Sequence, residues 1–182
     1  ADLLILQKGQ ALYALTPDQF SYTLNESVDP SRKLYSISWQ TSDANLIAEG
    51  GQAQCLIDGA MNRGALGVAA EALGLSQRML DMTVSYTADR QQFGKPIGSF
   101  QAVKHLMANV AVKLEFAKTP VYKAAYAVAE QLSSANVNVS HAKLASTEVA
   151  QLAARNTMQC HGAMGYTWEV DLQIFMKKAW VY

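Results

Sequence analysis

The chain has 182 residues, half of them hydrophobic, which is enough to bury a core in one domain or a domain and a half. Its 15 Lys and Arg residues balance its 15 Asp and Glu residues, so no net charge draws it to nucleic acid or an anionic membrane. No run of about 18 apolar residues occurs, so the sequence predicts no membrane span.

The first 48 residues carry the signals of short strands separated by turns. Turn residues at Lys8-Gly9-Gln10 and Thr16-Pro17-Asp18 alternate with apolar or alternating runs. The predicted strands are Leu3–Leu6, Ala11–Leu15, Phe20–Leu24 and Tyr35–Trp39. Four short strands leave open edges, which indicates missing strands or a partner.

From Asn45 onward the apolar period changes to 3.6, which predicts helices. A very long helix is predicted from Leu56 to Gln91, and Ser99 is expected to cap a second helix. The second helix kinks or restarts at Pro120 and continues through Ala129, a third runs from Ser140 to Cys160, and a shorter one covers Glu169–Val181. The predicted fold class is therefore α+β: a partial antiparallel β-domain (1–48) followed by an up-and-down four-helix bundle (49–182).

A polar corner from Arg90 to Gln101 separates the first two predicted helices. Arg90 ends a helix, where the helix dipole favours a cation, so a purely structural role is one interpretation. The other is bidentate phosphate contact, because Gln92, Gln101 and glycine amides add neutral donors beside the guanidinium. This set suits a pyrophosphate better than a carboxylate. Phe93 is either a core anchor at the turn or a flat surface for an aromatic ring.

The segment from Gln159 to Thr167 is the second candidate site, because Gly162 and Gly165 let a backbone approach a ligand closely. A helix C-cap explains Gly162 nearly as well. His161 is expected to be a packing or capping residue and not an acid or base. No Cys, His or Glu spacing fits a metal, so no metal site is predicted. Cys55 and Cys160 lie far apart, which favours free thiols in a reducing, cytoplasmic setting.

Two segments, Tyr86–Gln101 (YTADRQQFGKPIGSFQ) and Gln159–Thr167 (QCHGAMGYT), together resemble the C-terminal domain of acyl-CoA dehydrogenases. The resemblance covers residues 50–182, and its wording is most similar to bacterial members of the family. Residues 1–48 resemble the closing half of that family's middle β-domain, with a turn at Asp29-Pro30-Ser31-Arg32. The family's N-terminal helical domain and the first half of its β-domain have no counterpart in this sequence.

The resemblance implies FAD as the cofactor and α,β-dehydrogenation of an acyl-CoA thioester. In this chemistry a carboxylate removes the α-proton while the β-hydrogen leaves as hydride to the flavin. By analogy, one side of the FAD of a neighbouring subunit would be held at its pyrophosphate and adenosine portion by Arg90, Gln92, Phe93 and Gln101. The other side of the dinucleotide would be contacted by Gln159, Gly162, Ala163 and Gly165.

The catalytic carboxylate is unknown from this sequence. In the largest group of the family it lies beyond the position of Tyr182, and in a smaller group it lies on the first long helix, where this chain has Gly64. Asp58 and Glu71 are nearby acids that are expected to be solvated helix residues. We expect that this chain is a fragment and that the polypeptide continues beyond Tyr182. The alternative is a heteromeric enzyme in which another subunit provides the carboxylate.

The implied partners are an acyl-CoA substrate and an electron acceptor such as an electron-transfer flavoprotein. A cofactor site across a subunit interface also implies a homodimer or a dimer of dimers. Two other functions are also compatible with the sequence: a non-catalytic or half-site subunit of a heteromeric dehydrogenase, and an acyl-CoA oxidase.

Overall fold

A computed structural model describes residues 2–27, 29 and 32–182 of the chain. Two compact units divide it within its longest helix, at Met61 and Asn62. The elements, in chain order, are β1 (Leu4–Lys8), β2 (Ala11–Leu15), β3 (Phe20–Asn25), β4 (Leu34–Trp39), β5 (Leu46–Glu49), α1 (Gly50–Asp89), β6 (Gln91–Gln92), β7 (Lys95–Pro96), α2 (Gln101–Ala129), α3 (Ala135–His161) and α4 (Leu172–Ala179). None of these helices is both long and apolar enough to span a bilayer.

The strands of the first unit form two separate antiparallel sheets. One has the order β1-β2-β5, and the other is the two-stranded ribbon β3-β4. The four predicted strands are present, but β5 was missed, because the change to a helical period was placed at Asn45, before the short run Leu46–Glu49. The expected turn at residues 29–32 includes Pro30 and Ser31, which lie outside the described residues.

Helices α1 to α4 form the predicted up-and-down four-helix bundle, and the predicted α+β fold class is confirmed. The bounds of its helices differ in part from the sequence-based ones. The long helix α1 begins at Gly50, where a φ of +56° and an N–H···O bond of 2.8 Å to Gln10 turn the chain directly out of β5. Ser99 does not cap α2, since a 3-10 turn over Ile97–Ser99 moves the N-cap to Phe100.

Helix α2 continues through Pro120 without restarting. Pro120 removes one backbone donor, a loss that costs about 3 kcal/mol in an isolated helix. Buried Ala117, Val121 and Ala124 lie on both sides of it and pack into the core, so tertiary packing holds the helix together there. Helix α3 begins at Ala135, five residues before its predicted start, and Val139 of this additional stretch packs in one cluster with Val121 and Ala124.

Small and apolar side chains of all four helices form the core of the bundle. Its fully or nearly buried members include Ala72, Met79, Val110, Leu114, Val149, Ala150, Ala153, Ala154, Leu172 and Ala179. Buried hydroxyls are compatible with this core because each donates to a helix carbonyl four residues earlier, as Thr83 does to Met79 at 2.7 Å and Thr157 to Ala153 at 2.7 Å. The bundle therefore offers rigid helix ends on which a site can be built.

Gly64 lies in the middle of α1, and no atom comes within 4 Å of the position that a β-carbon would take. We expect Gly64→Ala to stabilise the protein by about 1 kcal/mol, because alanine loses less backbone entropy in a helix. Urea unfolding followed by circular dichroism measures the difference. A loss of stability would contradict an uninterrupted α1 at this position.

Candidate functional site

The polar corner after α1 is a tight β-hairpin. The strands β6 and β7 pair Gln91 with Pro96 and Gln92 with Lys95, and Phe93 and Gly94 form the two-residue turn between them. Both turn residues have positive φ angles, +54° for Phe93 and +77° for Gly94, which is the pattern of a type I′ turn.

The hairpin is anchored to the end of α1 by its backbone. The N–H of Arg90 donates to the carbonyl of Tyr86 at 2.9 Å, and the N–H of Ile97 donates to the carbonyl of Arg90 at 2.8 Å. Gly98 presses against α1, since a β-carbon there would come within 3.0 Å of the Thr87 carbonyl oxygen. These contacts fix the backbone on both sides of Arg90 and leave its side chain exposed.

Phe93 occupies a turn position that disfavours it. Bulky residues rarely adopt a positive φ, and Asn or Gly is the usual choice at this place in a type I′ turn. The ring is also 90% exposed, and its aromatic contact is an edge-on one with Phe100 at 6.1 Å between ring centroids. Phe93 is therefore not a core anchor, and backbone strain held at an exposed aromatic residue points to a binding role.

The substitution Phe93→Asn separates the backbone strain at this position from a role of the ring in binding. We expect the variant to be more stable by about 1 kcal/mol, because Asn tolerates the left-handed region. We also expect it to bind an aromatic cofactor about 3- to 10-fold more weakly, because a ring contact is worth about 0.5–1.5 kcal/mol. Urea unfolding and flavin fluorescence titration measure the two effects. Phe93→Tyr keeps the ring, and equal affinities of the Asn and Tyr variants would rule out a stacking role.

The second candidate segment forms the end of α3 and the turn that follows. Gly162 ends the helix with a φ of +60°, and its N–H donates to the carbonyl of Met158. A 3-10 turn then covers Gly162–Tyr166. Gly165 is buried inside this turn, and a β-carbon there would lie 2.5 Å from Met158 Sδ and 3.2 Å from His161 Cβ. Gly165 thus serves close packing of the turn on α3.

The two segments meet at one cavity, although nearly 70 residues of sequence separate them. This first cavity has a volume of about 270 Å³ and is lined by Tyr86, Arg90, Gln92, Ile97, Gln159, Cys160, His161, Gly162, Ala163 and Met164. Five of the eight predicted site residues are among these. The other three line no part of it: Phe93 at the hairpin tip, Gln101 on the exposed first turn of α2, and the buried Gly165.

The donors of the first cavity suit an anion. None of its lining residues is acidic, and among the described residues the guanidinium of Arg90 forms no ion pair. Gln92 donates to the carbonyl of Gln91 at 2.8 Å, so part of its amide is already used. Gln159 is exposed and adds a neutral amide. A diphosphate fits this combination of one fixed cation and neutral donors.

A second, larger cavity adjoins the first and was not predicted from the sequence. It has a volume of about 580 Å³ and is lined by Arg78, Asp81, Met82, Ser85, Tyr86, Asp89, Arg90, His161 and Val170. Tyr86, Arg90 and His161 belong to both cavities. The α1 members recur every three or four residues, which places them on one face of the helix. That polar face was the signal in the sequence that could have revealed this cavity.

His161 is buried at the site and contacts Tyr86, neither of which a capping role requires. It is 4% exposed, and its ring stacks on Tyr86 with 4.2 Å between centroids and 17° between planes. Burial lowers its pKa, opposed in part by the hydrogen bond to the Thr157 carbonyl. Burial likewise raises the pKa of the neighbouring Cys160 thiol, which is thus a poor nucleophile. No His, Cys, Asp or Glu cluster within the described ranges could hold a metal.

Comparison with known proteins identifies the family. Residues 55–182 match the family described as "Acyl-CoA dehydrogenase, C-terminal domain". The chain is 34% identical over 179 residues to acyl-CoA dehydrogenase IpdE2 of Mycobacterium tuberculosis, covering 98% of this chain and 51% of that protein. It is 37% identical over 110 residues to the caffeyl-CoA reductase-Etf complex subunit CarC of Acetobacterium woodii, covering 60% and 29%.

A solved structure of similar fold is that of glutaryl-coenzyme A dehydrogenase in complex with glutaryl-CoA. It superposes with a TM-score of 0.86 at 27% sequence identity, over 98% of this chain and 49% of that one. The chain thus spans about half the length of IpdE2 and of glutaryl-coenzyme A dehydrogenase. On its sequence, its fold and the pairing of its two motifs at one cavity, the chain belongs to the acyl-CoA dehydrogenase family.

Proposed function

We propose that this chain forms the flavin-binding helical part of an FAD-dependent acyl-CoA dehydrogenase. The observation that carries the proposal is the first cavity, where Arg90 and Gln92 of one motif face Gln159, Gly162 and Ala163 of the other. An unpaired guanidinium among neutral donors recognises a diphosphate, which is the anionic centre of FAD. When bound, FAD would supply the hydride acceptor for dehydrogenation of an acyl-CoA thioester.

Each site residue then has a distinct task in binding. Arg90 provides the charge that balances the diphosphate, while the amides of Gln92, Gln101 and Gln159 provide neutral hydrogen bonds. Phe93 provides an exposed ring for the aromatic part of the cofactor. Gly162 and Ala163 have little or no side chain, so that backbone can approach the ligand, while buried Gly165 packs the turn against α3.

The proposed assembly is a dimer or a dimer of dimers in which this site completes the FAD site of a neighbouring subunit. Exposed aromatic residues on α2 support a protein partner, because Phe116, Tyr122 and Tyr126 are each more than 60% exposed. We propose an electron-transfer flavoprotein as the electron acceptor. Support comes from the relative CarC, which is named as a subunit of a complex with Etf.

Anaerobic reduction of the bound flavin tests the proposal. The complete gene product, purified with any subunit that accompanies it, should show the absorbance of oxidised flavin. That absorbance should bleach when an acyl-CoA is added, and an electron-transfer flavoprotein should restore it. A protein that purifies and reconstitutes without flavin would refute the proposal. Rapid oxygen consumption without an added acceptor would instead indicate an acyl-CoA oxidase.

A half-site subunit of a heteromeric dehydrogenase is the second candidate, and Gly64 favours it. In part of the family the catalytic carboxylate lies at this position of α1, and here no side chain is present. The helix has room for one, since nothing lies within 4 Å of the β-carbon position. Flavin that binds to the purified chain but bleaches only after a second, different subunit is added would support this candidate.

A further inference from the structure

His161 and Tyr86 form a contact between the two motifs of the proposed flavin site. Tyr86 is on α1, four residues before Arg90, and the Tyr86 carbonyl accepts the hydrogen bond from the Arg90 N–H. His161 is the last residue of α3, two residues after Gln159 and directly before the turn that carries Ala163. The stacked rings therefore join the two backbone segments that carry the cavity's donors.

The hydrogen bond of His161 defines which nitrogen of the ring carries a proton. Nδ1 lies 2.9 Å from the carbonyl oxygen of Thr157, and a carbonyl can only accept, so Nδ1 is protonated. Nε2 has no hydrogen-bond partner among the described residues. Burial lowers the pKa of His161, which favours the neutral ring, with an unprotonated Nε2, at neutral pH. A neutral ring, held by Thr157 at one edge, can lie flat on Tyr86 without bringing a second cation next to Arg90.

The stacked pair is also the shared wall of the two cavities. Tyr86 and His161 line both of them together with Arg90, and His161 is almost fully buried. A displaced His161 ring would therefore change the distance between α1 and the turn after α3. The backbone of Arg90 is fixed to α1, and Ala163 is joined to α3 through Gly162. The distance between α1 and this turn therefore decides whether Arg90 and Ala163 can contact one ligand.

We infer that His161 is a positioning residue of the flavin site: by stacking on Tyr86 it holds the Arg90 and Gln159–Ala163 segments at the separation that one diphosphate can span. The inference rests on the proposed function, because the ligand is the FAD of that proposal. It does not require His161 to touch the cofactor. It requires only that the flat contact with Tyr86 be kept.

Two substitutions of His161 separate positioning from simple stability. His161→Leu and His161→Phe both remove the hydrogen bond to Thr157, but only Phe keeps a flat ring on Tyr86. We expect similar melting temperatures for the two variants. The dissociation constant for FAD should rise about tenfold in His161→Leu and stay near the wild-type value in His161→Phe. His141→Leu, at an exposed histidine elsewhere on α3, is the matched control and should change neither value.

Tyr86→Leu removes the other ring of the same contact. It provides a second test if a His161 variant does not fold. We expect about the same tenfold loss, and the double variant Tyr86→Leu/His161→Leu should bind no more weakly than either single one. Fully additive losses, or equal affinities of the Leu and Phe variants, would overturn the inference. If Arg90→Ala weakens FAD binding while His161→Leu and Tyr86→Leu do not, only the inference fails. If Arg90→Ala binds FAD as tightly as the wild type does, the proposed function fails.

Discussion

Replacing Arg90 with alanine should weaken FAD binding by about 10- to 100-fold, because a hydrogen bond to a charged group contributes about 1.5–3 kcal/mol. Arg90 is the one cation among the residues that line the first cavity, and none of the described residues pairs with it. Its loss leaves the diphosphate with neutral donors alone. The folded state should change little, since the Arg90 side chain is exposed and its backbone bonds remain.

Flavin fluorescence titration of the deflavinated protein measures this change. Arg155→Ala is the matched control, because Arg155 is an exposed arginine on α3 that lines neither cavity. Arg90→Lys should give an intermediate affinity, since lysine keeps the charge but cannot form the bidentate contact. If Arg90→Ala binds FAD as tightly as Arg155→Ala does, Arg90 has only the structural role of a cation at a helix end.

Gly165→Ala should destabilise the protein by about 1–3 kcal/mol, the usual cost of an extra methyl group in a packed interior. The new β-carbon would lie 2.5 Å from Met158 Sδ and 3.2 Å from His161 Cβ, so both side chains must move. Met158 belongs to the core of the bundle and is 7% exposed, which leaves it little room. Because the turn also carries Ala163, flavin affinity should fall together with stability.

Urea unfolding and flavin titration of the same samples measure both effects. Gly74→Ala is the control, since a β-carbon at that α1 position meets no atom within 4 Å. A second substitution, Met158→Val, removes the sulfur that blocks the new methyl group and should restore part of the lost affinity in the Gly165→Ala background. Wild-type stability of Gly165→Ala would contradict the packed turn.

Local sequence signals predicted most of the fold. The apolar period of 3.6 indicated all four helices, and turn residues indicated four of the five strands in the first unit. The errors occurred where tertiary contacts override local preference. Helix α2 does not restart at Pro120, because buried residues on both sides hold the helix in the core. Ser99 does not cap it, because the hairpin adds a 3-10 turn before the helix begins.

The candidate site could be predicted in part. Two glycine-containing motifs identified the segments, and the structure brings Arg90 and Gln159 of these segments to one cavity. The sequence could not show that Phe93 has a strained backbone at a hairpin tip. A positive φ is expected from sequence at Asn or Gly, and Phe93 is neither. The sequence also could not show the pairing of Tyr86 with His161, because 75 residues separate them and only helix packing brings them together.

The measurement that most directly tests the central claim is an experimental structure of the complete protein with FAD bound. We expect phosphate oxygens of the FAD of a neighbouring subunit about 3 Å from the Arg90 guanidinium, in the cavity that Gln159 and Ala163 also line. FAD bound elsewhere on the protein, with this cavity filled only by solvent, would contradict this claim.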